Sequence, residues 1–172
     1  AQPVQALEAE WASLPVDDPK VRATVENSVA ARLGAFHRVN PLVGELLAAD
    51  AEGRRIAATG KTSDYDQSDE TWWQKAITLQ SGEAVLEGLA VDQSAGVFSL
   101  DILLPIVSAD GRHVGVLKAV LNVAPLLSGL SEFSAQAGAA SEVVSDDGEV
   151  ILRLGDDDFA PSGKILAKGV MD

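Results

Sequence analysis

Two long alternating runs, Val97–Ser108 and His113–Val123, flank Asp110-Gly111 and constrain this chain more than any other feature. An even-length hairpin loop about that dipeptide pairs Asp101 with Val120 and Leu103 with Lys118. Side chains alternate across a strand, so Ser99, Asp101, Lys118 and Asn122 share one face. Phe98, Leu100, Ile102 and Leu104 share the other with Leu117, Ala119 and Leu121. One face is therefore apolar throughout and suits a packed helix. The other carries four polar groups on two strands of strong β character. An unpaired Asp101 or Lys118 on a covered face costs several kcal/mol, so the two are expected to be diagonal partners or to hold a ligand between them. A plain buried or half-exposed ion pair is the simpler alternative.

The segment Thr62–Ala76, T-S-D-Y-D-Q-S-D-E-T-W-W-Q-K-A, is the second constraint. Aromatic residues make up 5% of the chain, yet Tyr65, Trp72 and Trp73 all fall here. Ser68 or Asp69 can cap a short helix with Glu70 in its first turn. Adjacent helical residues point about 100° apart, so the two indoles cannot share one direction. One is expected to anchor in the body while the other turns to a pocket or its rim. Alternatively, both are core anchors.

Charge and composition narrow the function. At 172 residues the chain is long enough for one domain with a substantial core. A net charge of -13 argues against nucleic acid or an anionic membrane surface as partner. Without cysteine there is no disulfide framework, thiolate nucleophile or zinc–thiolate site. No run of eighteen apolar residues is present. The chain opens at Ala1 with neither Met nor a signal-peptide pattern, as expected of an excised or processed segment; if it belongs to a membrane protein, the anchors have been cut away.

Taken in order, Val4, Leu7, Trp11 and Leu14 make the stripe of an amphipathic helix. This stripe is expected to pack on the domain itself or on a second subunit. Asp18 caps a second helix with Pro19 at its first position, and Val21, Val25, Val29, Leu33 and Phe36 line one side of it up to Asn40-Pro41. Strands follow: Leu42–Ala49 and Arg55–Ala58 around Asp50-Ala-Glu-Gly53, then Glu83–Val91, then the central hairpin. Pro125–Phe133 reads as a short helix, and Ser141–Asp146 with Glu149–Leu154 as a last hairpin. Helices clustered at the start and antiparallel strands after them predict an α+β domain. The expected organisation is a helical segment over 1–40, a core over 41–135, and the start of a truncated second lobe or a C-terminal hairpin over 136–172.

Asp50-Ala-Glu-Gly-Arg, the Tyr65…Trp72-Trp73-Gln-Lys-Ala helix, Leu104-Pro-Ile-Val-Ser-Ala-Asp-Gly and Gly115-Val-Leu-Lys118 follow in an order that resembles Cache domains, the PAS-like extracytoplasmic sensor modules of bacterial receptors. The resemblance covers about residues 20–130, and Ser141–Leu154 looks like the start of the membrane-proximal lobe of double-Cache proteins. It implies an antiparallel PAS-like sheet with a long N-terminal helix on one face and a ligand pocket on the other. It also implies a transmembrane anchor and a cytoplasmic kinase, chemoreceptor or cyclase output outside this chain, and a location on the periplasmic or extracellular side of the membrane. Tyr65, Trp72 and Trp73 sit where the family places pocket aromatics. Amino-acid-binding members carry an Arg two positions before the Trp and an Asp on the last strand; here those positions are Glu70 and Val120. Ser99, Asp101, Lys118 and Asn122 offer a different polar set on the same expected face.

Catalytic and cofactor signatures are missing from the sequence. There is no glycine-rich phosphate loop, no G-x-S-x-G and no H-E-x-x-H. His37 and His113 lack ligand-type neighbours at helical spacing, and His113 is expected at the surface. Asp156-Asp157-Asp158 lacks the alternating oxygen spacing of a calcium loop. The expected function is non-enzymatic sensing of a small polar metabolite, with no metal or cofactor, in a receptor that can pair as a homodimer through its N-terminal helix. The alternative is a ligand-free structural or dimerisation module.

Overall fold

The computed structural model describes residues 4–92, 97–123, 125, 132, 141–144 and 150–154. The chain divides into two compact units, residues 1–122 and 123–172. The first begins with three helices, α1 (Val4–Trp11), α2 (Pro19–Val25) and α3 (Ser28–Val39). Asp18 caps α2 by accepting from the Lys20 amide at 2.8 Å, with Pro19 at the start of the helix, as its sequence requires.

The single long helix expected after Pro19 is instead two. Asn27 interrupts it: its carboxamide oxygen accepts from the amides of Val29 and Ala30, making it the N-cap of α3. Its Nδ2 donates to the carbonyls of Ala23 and Ile56, which ties the break to the sheet. Asn competes well for cap positions because its short polar chain satisfies orphan amides. The break also changes the helix phase. Ala30 and Leu33 face the sheet, whereas Val29 and Phe36, expected in the buried stripe, are exposed.

Five antiparallel strands follow, β1 (Val43–Asp50), β2 (Arg55–Ala58), β3 (Val85–Asp92), β4 (Val97–Val107) and β5 (His113–Asn122), in the order β2-β1-β5-β4-β3. The β4–β5 register pairs Ser99 with Asn122, Asp101 with Val120 and Leu103 with Lys118, as the alternation predicts. An irregularity between Ile106 and Val107 lies near the turn and leaves those pairs in place. α3 covers one face, where Ala30 and Leu33 pack on Leu46, Ala48, Ala57, Ile102, Leu117, Ala119 and Leu121. The helix α4 (Thr71–Ala76) covers part of the other, with Trp72 and Ala76 against Leu47, Ala49, Ala58, Leu103 and Val116.

Glu70, rather than Ser68 or Asp69, is the N-cap residue of α4. The segment before it is clamped by the β1–β2 turn. Gly53 has φ +87° and lies so close to Ser68 that a Cβ would sit 2.6 Å from its backbone, and its carbonyl accepts from the Gln67 amide at 2.8 Å. Only glycine combines that dihedral with that approach. Arg54 pairs with Asp66 alongside. The position of α4 over the sheet is thus set by a turn in a different hairpin.

The second unit contains an antiparallel pair, β6 (Ser141–Val144) and β7 (Val150–Leu154), where a hairpin is expected. Most of the short helix expected over Pro125–Phe133, and the acidic run Asp156–Asp158, lie outside the described residues. Among the described residues, no helix is long and apolar enough to cross a membrane.

Candidate functional site

The polar face of β4 and β5 lies opposite α3. On it Lys118 Nζ meets Asp101 Oδ2 at 2.7 Å, a diagonal pair whose side chains retain 20% and 22% exposure. The ammonium also sits 5.3 Å from the centre of the Trp72 ring, within cation–π range. Ser99, two residues from Asp101 on the same face, is buried. Asn122 pairs with it across the strands and is half-buried. The structure therefore brings Asp101, Lys118 and Trp72 into contact and sets Ser99 and Asn122 on their face.

Tyr65 and Trp73 make other contacts. The Tyr65 ring lies 5.2 Å from that of Trp11, tilted by 45°, and burial pushes its hydroxyl above the ordinary tyrosine range. Trp73 is half-buried against the core cluster around Trp72 and donates from Nε1 to the Asp50 carbonyl at 3.3 Å. At the edge of α4, Lys75 bridges to Glu87 of β3 at 2.7 Å.

Glu70, the N-cap residue of α4, is half-buried. Its side chain makes no capping bond to the first amides of α4. Burial first, then the neighbouring Asp64 and Asp69, hold its carboxyl above the ordinary carboxylate range, and Lys118 opposes that shift.

A second polar constellation lies under α1. Trp11 is fully buried, and its ring covers the Arg55 guanidinium at 4.2 Å. Arg55 is 1% exposed; it donates to the hydroxyls of Thr62 and Thr24, and its Nε is enclosed without a partner. Desolvation lowers its pKa from the ordinary guanidinium range to about 10. Trp11 Nε1 donates to the Thr62 carbonyl at 3.1 Å. Lys61 donates to the carbonyls of Ala12 and Leu14, and Glu8 accepts from the Tyr65 and Asp66 amides at 2.8 and 2.7 Å. Trp11, from the first amphipathic stripe, therefore packs on this domain.

His113, expected at the surface, is half-buried, and its Nδ1 is enclosed without a hydrogen-bond partner. Among the described residues, no group of three or more His, Asp or Glu is placed to hold a metal ion.

No protein-family model matches the sequence, and no curated protein matches it closely enough to count as a relative. Solved structures do resemble it. The extracellular domain of rpHK1S-Z16, named as a histidine kinase, superposes with a TM-score of 0.60 at 20% identity, over 97% of this chain and 64% of that one. The ligand-binding domain of the Pseudomonas aeruginosa amino-acid chemoreceptor PctC, in complex with GABA, gives 0.53 at 21% identity over 86% and 62%. The sensor domain of the Vibrio cholerae histidine kinase DctB gives 0.52 at 13% identity over 88% and 58%. The chain has the α+β, PAS-like fold of these sensor domains and spans about three-fifths of their length.

Proposed function

We propose that this chain is an extracytoplasmic, non-catalytic domain that senses a small polar metabolite for a membrane-anchored receptor. The observation that carries the reading is the Asp101–Lys118 pair beneath Trp72, on the sheet face that α3 leaves free. A domain that needed only stability has no use for a charged pair there, since an apolar pair of similar volume serves as well or better. The site comprises Trp72, Ser99, Asp101, Lys118 and Asn122, with Tyr65 and Trp73 as aromatic neighbours. The fold shared with sensor domains of histidine kinases and a chemoreceptor supports the same reading, and with it a place outside the cytoplasm. The β6–β7 hairpin is then the start of a second lobe over 136–172, following a helical segment over 1–40 and the sensor core over 41–135.

A thermal-shift screen of small acids, amines, sugars and amino acids tests the reading. A true ligand at a hundred times its dissociation constant adds about 2.7 kcal/mol, a rise of about 5–10 °C for a domain of this size. Lys118→Met should abolish the shift. A screen without a hit, with no small molecule retained by the purified protein in native mass spectrometry, favours the ligand-free structural module instead.

A homodimer through the N-terminal helices completes the proposal. α3 leaves Val29, Phe36 and Val39 exposed on its outer side, and a second copy offers apolar surface to cover them. Sedimentation at high protein concentration is expected to detect the dimer, and Phe36→Glu to dissociate it. A monomer at every concentration overturns this part.

A further inference from the structure

The helix α1 is tied to the domain as a strap is, by one anchor and a row of polar contacts. Trp11 is its one buried side chain, and the others are half-buried or exposed. The polar contacts converge on the loop ahead of α4. Glu8 Oε2 accepts from the successive amides of Tyr65 and Asp66 at 2.8 and 2.7 Å, and Trp11 Nε1 donates to the Thr62 carbonyl. Lys61 donates to the carbonyls of Ala12 and Leu14, just past the helix, and Glu10 pairs with Lys20 of α2. Residues 12–18, which join α1 to α2, are mostly exposed. A segment with few buried apolar contacts opens below the free energy of global unfolding.

The closed position also carries a cost. Beneath the Trp11 ring, Arg55 is 1% exposed and its Nε is enclosed without a partner. Opening α1 returns the indole and the guanidinium to water together, so a hydrophobic loss and a solvation gain oppose one another. What tips the balance toward closure is the seat of Glu8. Successive main-chain amides turned to one side form an anion-binding concavity, and here one carboxylate oxygen satisfies both. The same loop leads into α4: Asp66 Oδ1 accepts from the Ser68 amide at 3.0 Å, and the Ser68 carbonyl accepts from Gln74 Nε2 at 3.1 Å. An open strap frees this segment on one side, while the Gly53 turn keeps the other.

We propose that α1 is a strap held shut by Glu8, which acts as the tethered ligand of a carboxylate site at the Tyr65 and Asp66 amides, and that a free carboxylate takes this site once Glu8 is gone.

Amide hydrogen exchange read by NMR on the wild type, Glu8→Ala and Glu8→Gln tests this. Across a urea series below the unfolding transition, the amides of α1, Tyr65 and Asp66 are expected to exchange in one opening, with a smaller urea dependence than those of β4 and β5. Glu8→Ala should speed exchange at Tyr65 and Asp66 about tenfold or more and lower the melting temperature. Sodium acetate should restore both, with saturable shifts of the two amide resonances, and sodium chloride of equal ionic strength should restore neither. In the wild type the chain fills its own site, so acetate should leave both amides unchanged. Glu8→Gln keeps an accepting oxygen and should show a smaller acceleration. An α1 that exchanges only with global unfolding, unchanged exchange in both variants, or rescue by chloride as well as acetate overturns the inference. Should Glu8→Ala fail to fold in chloride, its recovery in acetate alone supports the site, and failure in both salts with unchanged exchange in Glu8→Gln overturns it.

Discussion

Trp11→Ala should cost about 3–5 kcal/mol and lower the melting temperature by about 10 °C or more, the range for removing a fully buried indole. Part of the loss is packing: Trp11 is among the largest fully buried side chains of the described structure. Part is electrostatic. The indole is the lid on Arg55, whose guanidinium is 1% exposed, has an unpartnered Nε and leans on two threonine hydroxyls. Remove the ring and a buried cation loses its aromatic partner without gaining a carboxylate. Trp11→Phe keeps a ring face but loses the indole N–H bond to the Thr62 carbonyl. It should fall between the two, at about 1–2 kcal/mol. Denaturant unfolding of both variants measures this. A Trp11→Ala protein as stable as its parent would mean that α1 does not pack on the domain in solution.

The sequence foretells the sheet far better than the helices. β4 and β5 alternate cleanly about a glycine turn, so one register satisfies both faces, and a one-residue slip would bury every charge it now exposes. The break at Asn27 is harder to see, because Val21, Val25, Val29, Leu33 and Phe36 keep helical spacing straight across it. There the local capping bonds and the tie to Ile56 override periodicity. The Trp11–Arg55 contact joins residues from separate elements, and nothing local to either predicts it. Arg55 sits beyond the irregularity between Ala48 and Ala49 in the β1–β2 register, which breaks the alternation that might have flagged an inward charge. Glu70 is readable as a helix-start acid.

The Asp101–Lys118 pair offers the sharpest energetic test, because its exposure lies between two regimes. Exposed pairs contribute about 0–1 kcal/mol, whereas removing one partner of a fully buried pair costs about 3–5 kcal/mol. With about a fifth of each side chain exposed and a contact of 2.7 Å, Lys118→Met is expected to cost about 2–4 kcal/mol. Most of that loss comes from stranding Asp101 on a half-covered sheet face. Asp101→Asn should cost less, since a carboxamide still accepts from the ammonium. The double variant should be more stable than the sum of the singles implies, with a coupling of about 1–2 kcal/mol. Salt separates the pair from the surface bridges at Lys75–Glu87 and Arg112–Asp110. Those weaken as ionic strength rises, while the partly desolvated pair is screened less. Additive single losses, or a coupling that vanishes in moderate salt, would show that the polar face is an ordinary solvated surface. The ligand site would then have to be sought elsewhere on the sheet.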